Sequence, residues 1–296
     1  MTYNHGGYID EALKSIDEQK TEFPFELVIG DDFSTDDTLE KIRNFSFINP
    51  NLSVHVLRRQ PGGSYHQLRQ QEGRLYNFIN IIENCKGKYI ALLDGDDYWI
   101  DPLKLQKQVD FLEDHNEYGI CFHKVNQINE FNGKTSIIPN GSGNEIFKIE
   151  DYILNNRTAT CSILFKREIL GNFPDWFSNL PFGDLGVILI VMKKSNRKAA
   201  VLEDNMGVYR IHAGGIHGSY HRNKVELIKA YKQHLDFIRI IGSHLLIEKE
   251  YKRYIYQKKA HTYALLAVLF MENGKKQKYL KSKFSTIYYS ILKIFY

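Results

Sequence analysis

The segment Lys88-Tyr-Ile-Ala-Leu-Leu93 carries five apolar residues in succession and ends directly on Asp94-Gly-Asp-Asp97. An uninterrupted apolar run of this length suits a strand buried on both faces, as in a parallel sheet covered by helices. The chain therefore has to bring three carboxylates to the end of an inner strand.

Other segments fit the same architecture. Phe25 to Gly30 is a second short apolar run, and Leu52, Val54 and Val56 alternate with polar residues as in a strand. Ser34-Thr-Asp-Asp37 reads as a capping box, with Leu39, Ile42 and Phe45 at helical spacing behind it. Leu75, Phe78, Ile79 and Ile82 predict a helix. Asp101-Pro102 predicts the start of another, burying Leu105, Val109 and Leu112. Strands are expected at Tyr118 to Val125, Thr160 to Lys166 and Met206 to Ile211, with a loop at Asn129 to Gly143. A helix is expected from near Asp184, and everything beyond about Lys224 reads as helical.

Strand–helix alternation with short links gives an α/β fold, a Rossmann-like, mostly parallel sheet flanked by helices, with a C-terminal helical appendage. The expected division is a catalytic unit over residues 1–223 and a helical region over 224–296. Ligands of such sheets bind beyond the carboxyl ends of the strands. That rule puts Asp31-Asp32 and Asp94-Gly-Asp-Asp97 on one edge.

Three carboxylates that close repel one another, and burial strengthens the repulsion. Either some stay protonated or a cation sits among them. A hard divalent ion such as Mg²⁺ or Mn²⁺ takes oxygen ligands and completes its shell with water and phosphate. Gly95 permits the tight turn. Asp32-Phe-Ser-Thr-Asp-Asp37 has acids spaced like a calcium loop but lacks the glycine and the terminal glutamate, and no Walker loop is present.

The 296 residues carry a formal charge of +4, and Cys85, Cys121 and Cys161 lie far apart without zinc-type spacing. Free thiols in a reducing compartment are the expectation. Met1 is followed by Thr-Tyr-Asn-His-Gly-Gly, unlike a signal peptide, and no apolar stretch reaches membrane-spanning length. A cytoplasmic protein without a nucleic-acid partner is expected. Its tail, rich in Lys interleaved with Tyr, Phe, Ile and Leu, reads either as a peripheral contact with the inner face of a membrane or as a solvated helical face.

Taken together, Thr2-Tyr-Asn-His5, Ile29-Gly-Asp-Asp-Phe-Ser-Thr-Asp-Asp-Thr38, Gly87 to Trp99, Asp101-Pro-Leu-Lys-Leu105, Gly183-Asp184 and Tyr209-Arg-Ile-His-Ala-Gly-Gly215 resemble the family 2 glycosyltransferases of the GT-A fold. The resemblance covers roughly the first 220 residues. It implies an inverting, metal-dependent transfer of a sugar from a nucleotide diphosphate sugar, with a uridine donor expected first, to a hydroxyl of a glycan or lipid-linked glycan. It also implies roles. Tyr3 and Asp32 would hold the nucleobase, and Asp94 would lie near ribose or sugar. Asp96 and Asp97 would divide the ribose contact and the metal ligand between them. Asp184 would be the general base and Arg210 would face the diphosphate. His212 would complete the metal shell or touch phosphate, and Arg69 and Asn77 would reach the donor sugar.

Plainer readings stand beside these. Asp184 is also suited to capping its helix, and His212 to a surface position in a glycine-rich loop. A nucleotidyltransferase on a related sheet would need a glycine-rich basic loop near the amino end, which the sequence lacks. A non-catalytic nucleotide-sugar-binding subunit is a third reading. In its favour, the family's first strand carries several apolar residues before the Tyr-Asn pair, whereas Met1 stands almost at that pair. Either the numbering begins late or the strand is shortened, and in the second case the central sheet is expected to lose part of an inner strand.

Overall fold

A computed structural model describes residues 1–141, 145–215, 218 and 223–296. The elements follow the chain as α1 (Ile9–Asp17), β1 (Phe25–Ile29), α2 (Thr38–Asn44), β2 (Leu52–Val56), α3 (Ser64–Glu72) and α4 (Leu75–Asn84). Next come β3 (Tyr89–Ala91), β4 (Tyr98–Trp99), α5 (Lys104–Asp114), β5 (Ile120–Asn129), β6 (Lys134–Ile138), β7 (Glu145–Lys148), α6 (Ile149–Leu154), β8 (Leu164–Lys166), α7 (Arg167–Leu170), α8 (Gly183–Lys194) and β9 (Lys198–Ile211). Three long helices complete the described chain: α9 (Lys224–His244), α10 (Lys249–Glu272) and α11 (Lys276–Phe295).

The fold is α/β of the GT-A type, a helix-flanked sheet with helices at the C-terminal end. β1 and β2 pair in parallel, and Thr2 bridges to Asp31 in parallel. The larger sheet has the order β3-β8-β5-β9-β4, with β6 on β5 and β7 on β9. Its centre is the long parallel pair β5–β9, and its remaining pairs are antiparallel.

β1 and β3 do not pair with each other. Only Met1 and Thr2 lie between them. The Met1 amine donates to Leu93 O at 2.8 Å and Met1 O accepts from Gly95 N, while Thr2 N donates to Gly30 O and Thr2 O accepts from Asp32 N. Beyond these two residues an apolar cavity of about 400 Å³ runs between the two strands, lined by Leu27, Ile29, Ile90, Leu92 and Leu13 among others.

Why each element forms is clear from its buried face. α1 turns Ile9, Leu13 and Ile16 inward, each worth about 1.5–3 kcal/mol on burial. α8 is buried along almost its whole length because it runs through the middle of the molecule, under Phe122 of β5 and against Phe237 and Ile241 of α9. Tyr251 and Ile255 of α10 enter the same cluster, so the C-terminal helices share the main core. No helix of the described residues is long and apolar enough to cross a membrane.

Three local expectations are corrected. Ser34 does not cap α2: its hydroxyl bonds Asp31 Oδ1 instead, and Asp36 accepts the backbone N–H of Thr38. The stretch expected as a loop from Asn129 to Gly143 contains β6, because Lys134 to Ile138 fold back on Asn129 to Val125 through a turn at Gly133 with φ +66°; residues 142 and 143 lie outside the described residues. Thr160 to Ser162 form a 3₁₀ turn, leaving only Leu164–Lys166 as strand.

Candidate active site

The ends of β1, β3 and β9 and the start of α8 meet at one edge. β3 delivers Asp94 and then turns sharply. A Cβ on Gly95 would lie 2.8 Å from both His5 Nδ1 and Thr2 Cγ2, so only glycine fits between the two acidic positions. Asp97 N bonds Asp94 O at 3.1 Å to close the turn, and β4 carries the chain away along Gly207 and Val208 of β9.

Asp94, Asp96 and Asp97 each place a carboxylate oxygen within 4.8 Å of the others. Their environments differ. Burial, with Asp96 and Asp184 nearby, pushes the Asp94 carboxyl up to about 7 against the pull of the amino terminus. Burial beside Asp96 and Asp94 pushes Asp97 well above the usual carboxylate range. Burial also opposes ionisation of Asp96, but the His212 hydrogen bond and the fields of His5 and His212 outweigh it and hold this carboxyl low. Asp97 Oδ1 accepts the backbone N–H of Arg210 at 2.9 Å, whereas Oδ2 is buried without a partner among the described residues. An orphaned carboxylate oxygen beside two further carboxylates fits a divalent cation, which Asp94, Asp96 and Asp97 could hold.

Around Asp96 lie His212, His5 and Arg210. His212 Nε2 is 3.0 Å and His5 Nε2 3.6 Å from the same Asp96 oxygen. Burial lowers the pKa of His5. The His212 side chain is only 3 % exposed and packs on Tyr8, which sets aside a surface position. Arg210 donates to Asp96 O at 2.7 Å and to Glu11 Oε2 at 2.5 Å. Its guanidinium lies over the rings of Tyr98 and Tyr8 at 4.5 and 5.2 Å.

The other half of the site follows β1. Tyr3 is 55 % exposed beside Asp32. Asp32 receives a two-pronged contact from Arg69, Nε at 3.0 Å to both oxygens and Nη2 at 2.7 Å, plus the Tyr65 hydroxyl at 3.3 Å. Arg69, expected at the donor sugar, thus grips Asp32, because α3 folds over the end of β1. Asn77 lies on α4. It is buried in the wall, donating to Gly30 O and accepting from Arg59, with both ends of its amide engaged. Apolar neighbours on α4 left no room for it to reach outward.

Asp184 sits in the first turn of α8, where an acid suits the helix N-terminus, although the N-cap residue Phe182 makes no side-chain cap hydrogen bond. Its Oδ2 accepts from the Thr160 hydroxyl at 3.1 Å, and its charge is felt at Asp94.

Sequence reasoning missed Arg59, which lies 3.9 Å over the Tyr65 ring and donates to Asp31 O, Asn77 and Asn80. Its place just past β2, on the ligand-binding edge, was the available signal. Tyr8, Glu11, His5 and Thr160 were missed as well. They join the site through contacts distant in sequence.

The fold is α/β, and the acidic turn lies at the carboxyl end of its strands. Residues 1–172 match the family model of Glycosyl transferase family 2, and the chain belongs to that family. An uncharacterized protein of Mycobacterium tuberculosis is 35 % identical over 223 residues, covering 74 % of this chain and 60 % of the relative, so the chain spans well under two thirds of that protein's length. The dTDP-rhamnosyl transferase RfbG of Shigella flexneri is 27 % identical over 179 residues, covering 60 % of this chain and 57 % of RfbG. The crystal structure of a Staphylococcus aureus TarS fragment in complex with UDP-GlcNAc superposes with a TM-score of 0.53 at 20 % identity, covering 96 % of this chain and 89 % of the fragment, a likeness of fold.

Proposed function

We propose that this chain is an inverting hexosyltransferase that moves a sugar from a nucleotide diphosphate sugar, a UDP-sugar first among them, to a hydroxyl of a glycan or lipid-linked glycan. The setting is synthesis of cell-surface polysaccharide in the cytoplasm, at the inner face of the membrane. The carrying observation is the Asp94–Asp96–Asp97 turn, with its partnerless buried oxygen, beside Asp184. The names of relatives agree in kind: a rhamnosyl transferase, and a putative teichuronic acid biosynthesis glycosyltransferase of Bacillus subtilis that is 29 % identical over 111 residues, covering 38 % of this chain and 39 % of that protein.

In this reading residues 1–223 form the catalytic unit. Tyr3 stacks on the base and Asp32, aimed by Arg69, accepts its ring N–H. Asp96, Asp97 and His212 hold Mn²⁺ or Mg²⁺, which when bound neutralises charge on the diphosphate. Asp94 contacts ribose or sugar. Asp184 takes the proton from the acceptor hydroxyl as its oxygen attacks the anomeric carbon from the face opposite the leaving group. Arg210 lends its charge to the departing diphosphate, and Glu11 and the two tyrosine rings keep its guanidinium beside Asp96.

A second reading is a non-catalytic nucleotide-sugar-binding subunit. Incubation with a panel of nucleotide sugars, Mn²⁺ and candidate glycan acceptors decides. Release of nucleoside diphosphate coupled to a lengthened acceptor supports transfer. Binding of nucleotide sugar without turnover of any donor favours the subunit.

A further inference from the structure

We propose that the outer face of α11 is a docking surface for an anionic lipid bilayer, a proposal that rests on the inner-membrane setting given above. α11 is oriented by its packing on α10. Tyr289 stacks on Tyr263 at 5.7 Å and 6° and on Tyr256 at 5.9 Å, and Ser282 is buried in the same seam. The opposite face is apolar and unpartnered. Phe284, Ile294 and Phe295 are 69 %, 75 % and 72 % exposed, and Ile287, Tyr288 and Ile291 lie between them, also exposed. At 3.6 residues per turn these positions form one stripe along the helix.

Charge decides what covers the stripe. From Lys275 to Tyr296 there are six lysines and no aspartate or glutamate. At helical spacing Lys281 borders one margin of the stripe and Lys276 and Lys283 the other. None of the six forms an ion pair among the described residues. A second copy of this face would bring like charges together as it buried the stripe. A bilayer with anionic headgroups takes the apolar residues into the acyl boundary and the lysine rims against phosphate. α11 lies on such a surface and does not cross it, in keeping with the absence of a spanning helix among the described residues.

The test is co-sedimentation of the full chain with phosphatidylcholine vesicles and with vesicles that also contain phosphatidylglycerol. Two variants accompany it, Ile287→Ser with Ile291→Ser and Lys281→Glu with Lys283→Glu, all at exposed positions. Circular dichroism and UDP binding report their folding. Binding to anionic vesicles, weakened by salt and reduced at least about tenfold in each variant, supports the proposal. Equal binding by the variants assigns the membrane contact to another surface and removes α11. Absence of vesicle binding overturns the inner-membrane setting as well. A concentration-dependent dimer lost in the isoleucine variant gives the stripe to a second copy and overturns the proposal.

Discussion

The backbone N–H of Arg210 donates to one oxygen of the Asp97 carboxyl at 2.9 Å, and the other oxygen, equally buried, has no partner among the described residues. The end of β9 thus fixes which way the carboxyl faces. It leaves the other oxygen without a hydrogen bond among the described residues, beside the carboxylates of Asp94 and Asp96.

Without a cation this arrangement costs stability as pH rises. Asp97 is held well above its ordinary range by burial and its acidic neighbours, and Asp94 is pushed to about 7. In the unfolded chain both ionise near 4, so between about pH 5 and 7 the folded state binds more protons and stability falls with pH. Metal-free protein should therefore lose Tm across that window, and Mn²⁺ should restore it. Asp97→Asn should flatten the pH dependence and abolish the Mn²⁺ shift. A Tm in the wild type that Mn²⁺ leaves unchanged counts against the cation site.

Asp184→Asn keeps the hydrogen bond from Thr160 but cannot accept a proton. Transfer should drop by about 10²–10⁴-fold, the usual range for a general base, with nucleotide-sugar affinity within about twofold of wild type. Comparable turnover in the variant would remove Asp184 from proton transfer.

Arg69 meets Asp32 with a planar two-pronged contact that an ammonium cannot reproduce. Arg69→Lys and Arg69→Ala should both raise the donor KM, by about tenfold, with little change in kcat. That split separates aiming Asp32 from contact with the reacting sugar. A fall in kcat at constant KM would return Arg69 to the sugar site.

Lys104 is a fully buried ammonium over the Trp99 ring at 3.9 Å, with no hydrogen-bond partner among the described residues. Burial pushes it down to about 7. Its folded pKa lies below the unfolded value, so it weakens the fold most below about pH 7, and the penalty fades as pH rises toward about 10. Lys104→Met, close in volume, should raise Tm at neutral pH and remove that part of the pH dependence. A lower Tm in this variant would mean that the ammonium has partners of its own.

What the sequence made legible follows from locality. The apolar run ending at Asp94 reads as a strand, and it is one, at the end of the larger sheet; the rule of carboxyl-end binding brought Asp32 and the acidic turn to one edge. Asp184, Arg210 and His212 came from resemblance, and the fold carries them to the same edge. The contacts of Arg69 with Asp32 and of Asn77 with Gly30 and Arg59 depend on how α3 and α4 lie over β1, which no local pattern encodes. Lys104 hides on the buried face of α5, where a lysine at that spacing reads as solvent-facing. β6 lacked the alternation that marks a strand, and its turn glycine was one among several in a polar stretch.

The most direct measurement is calorimetric titration of the wild type and Asp97→Asn with UDP, each with Mn²⁺ and with a chelator. The account predicts that the wild type binds UDP much more tightly with Mn²⁺ and that the variant loses this gain while staying folded. Equal affinity in chelator, or a full Mn²⁺ gain in Asp97→Asn, would contradict the claim that the turn grips diphosphate through a divalent ion.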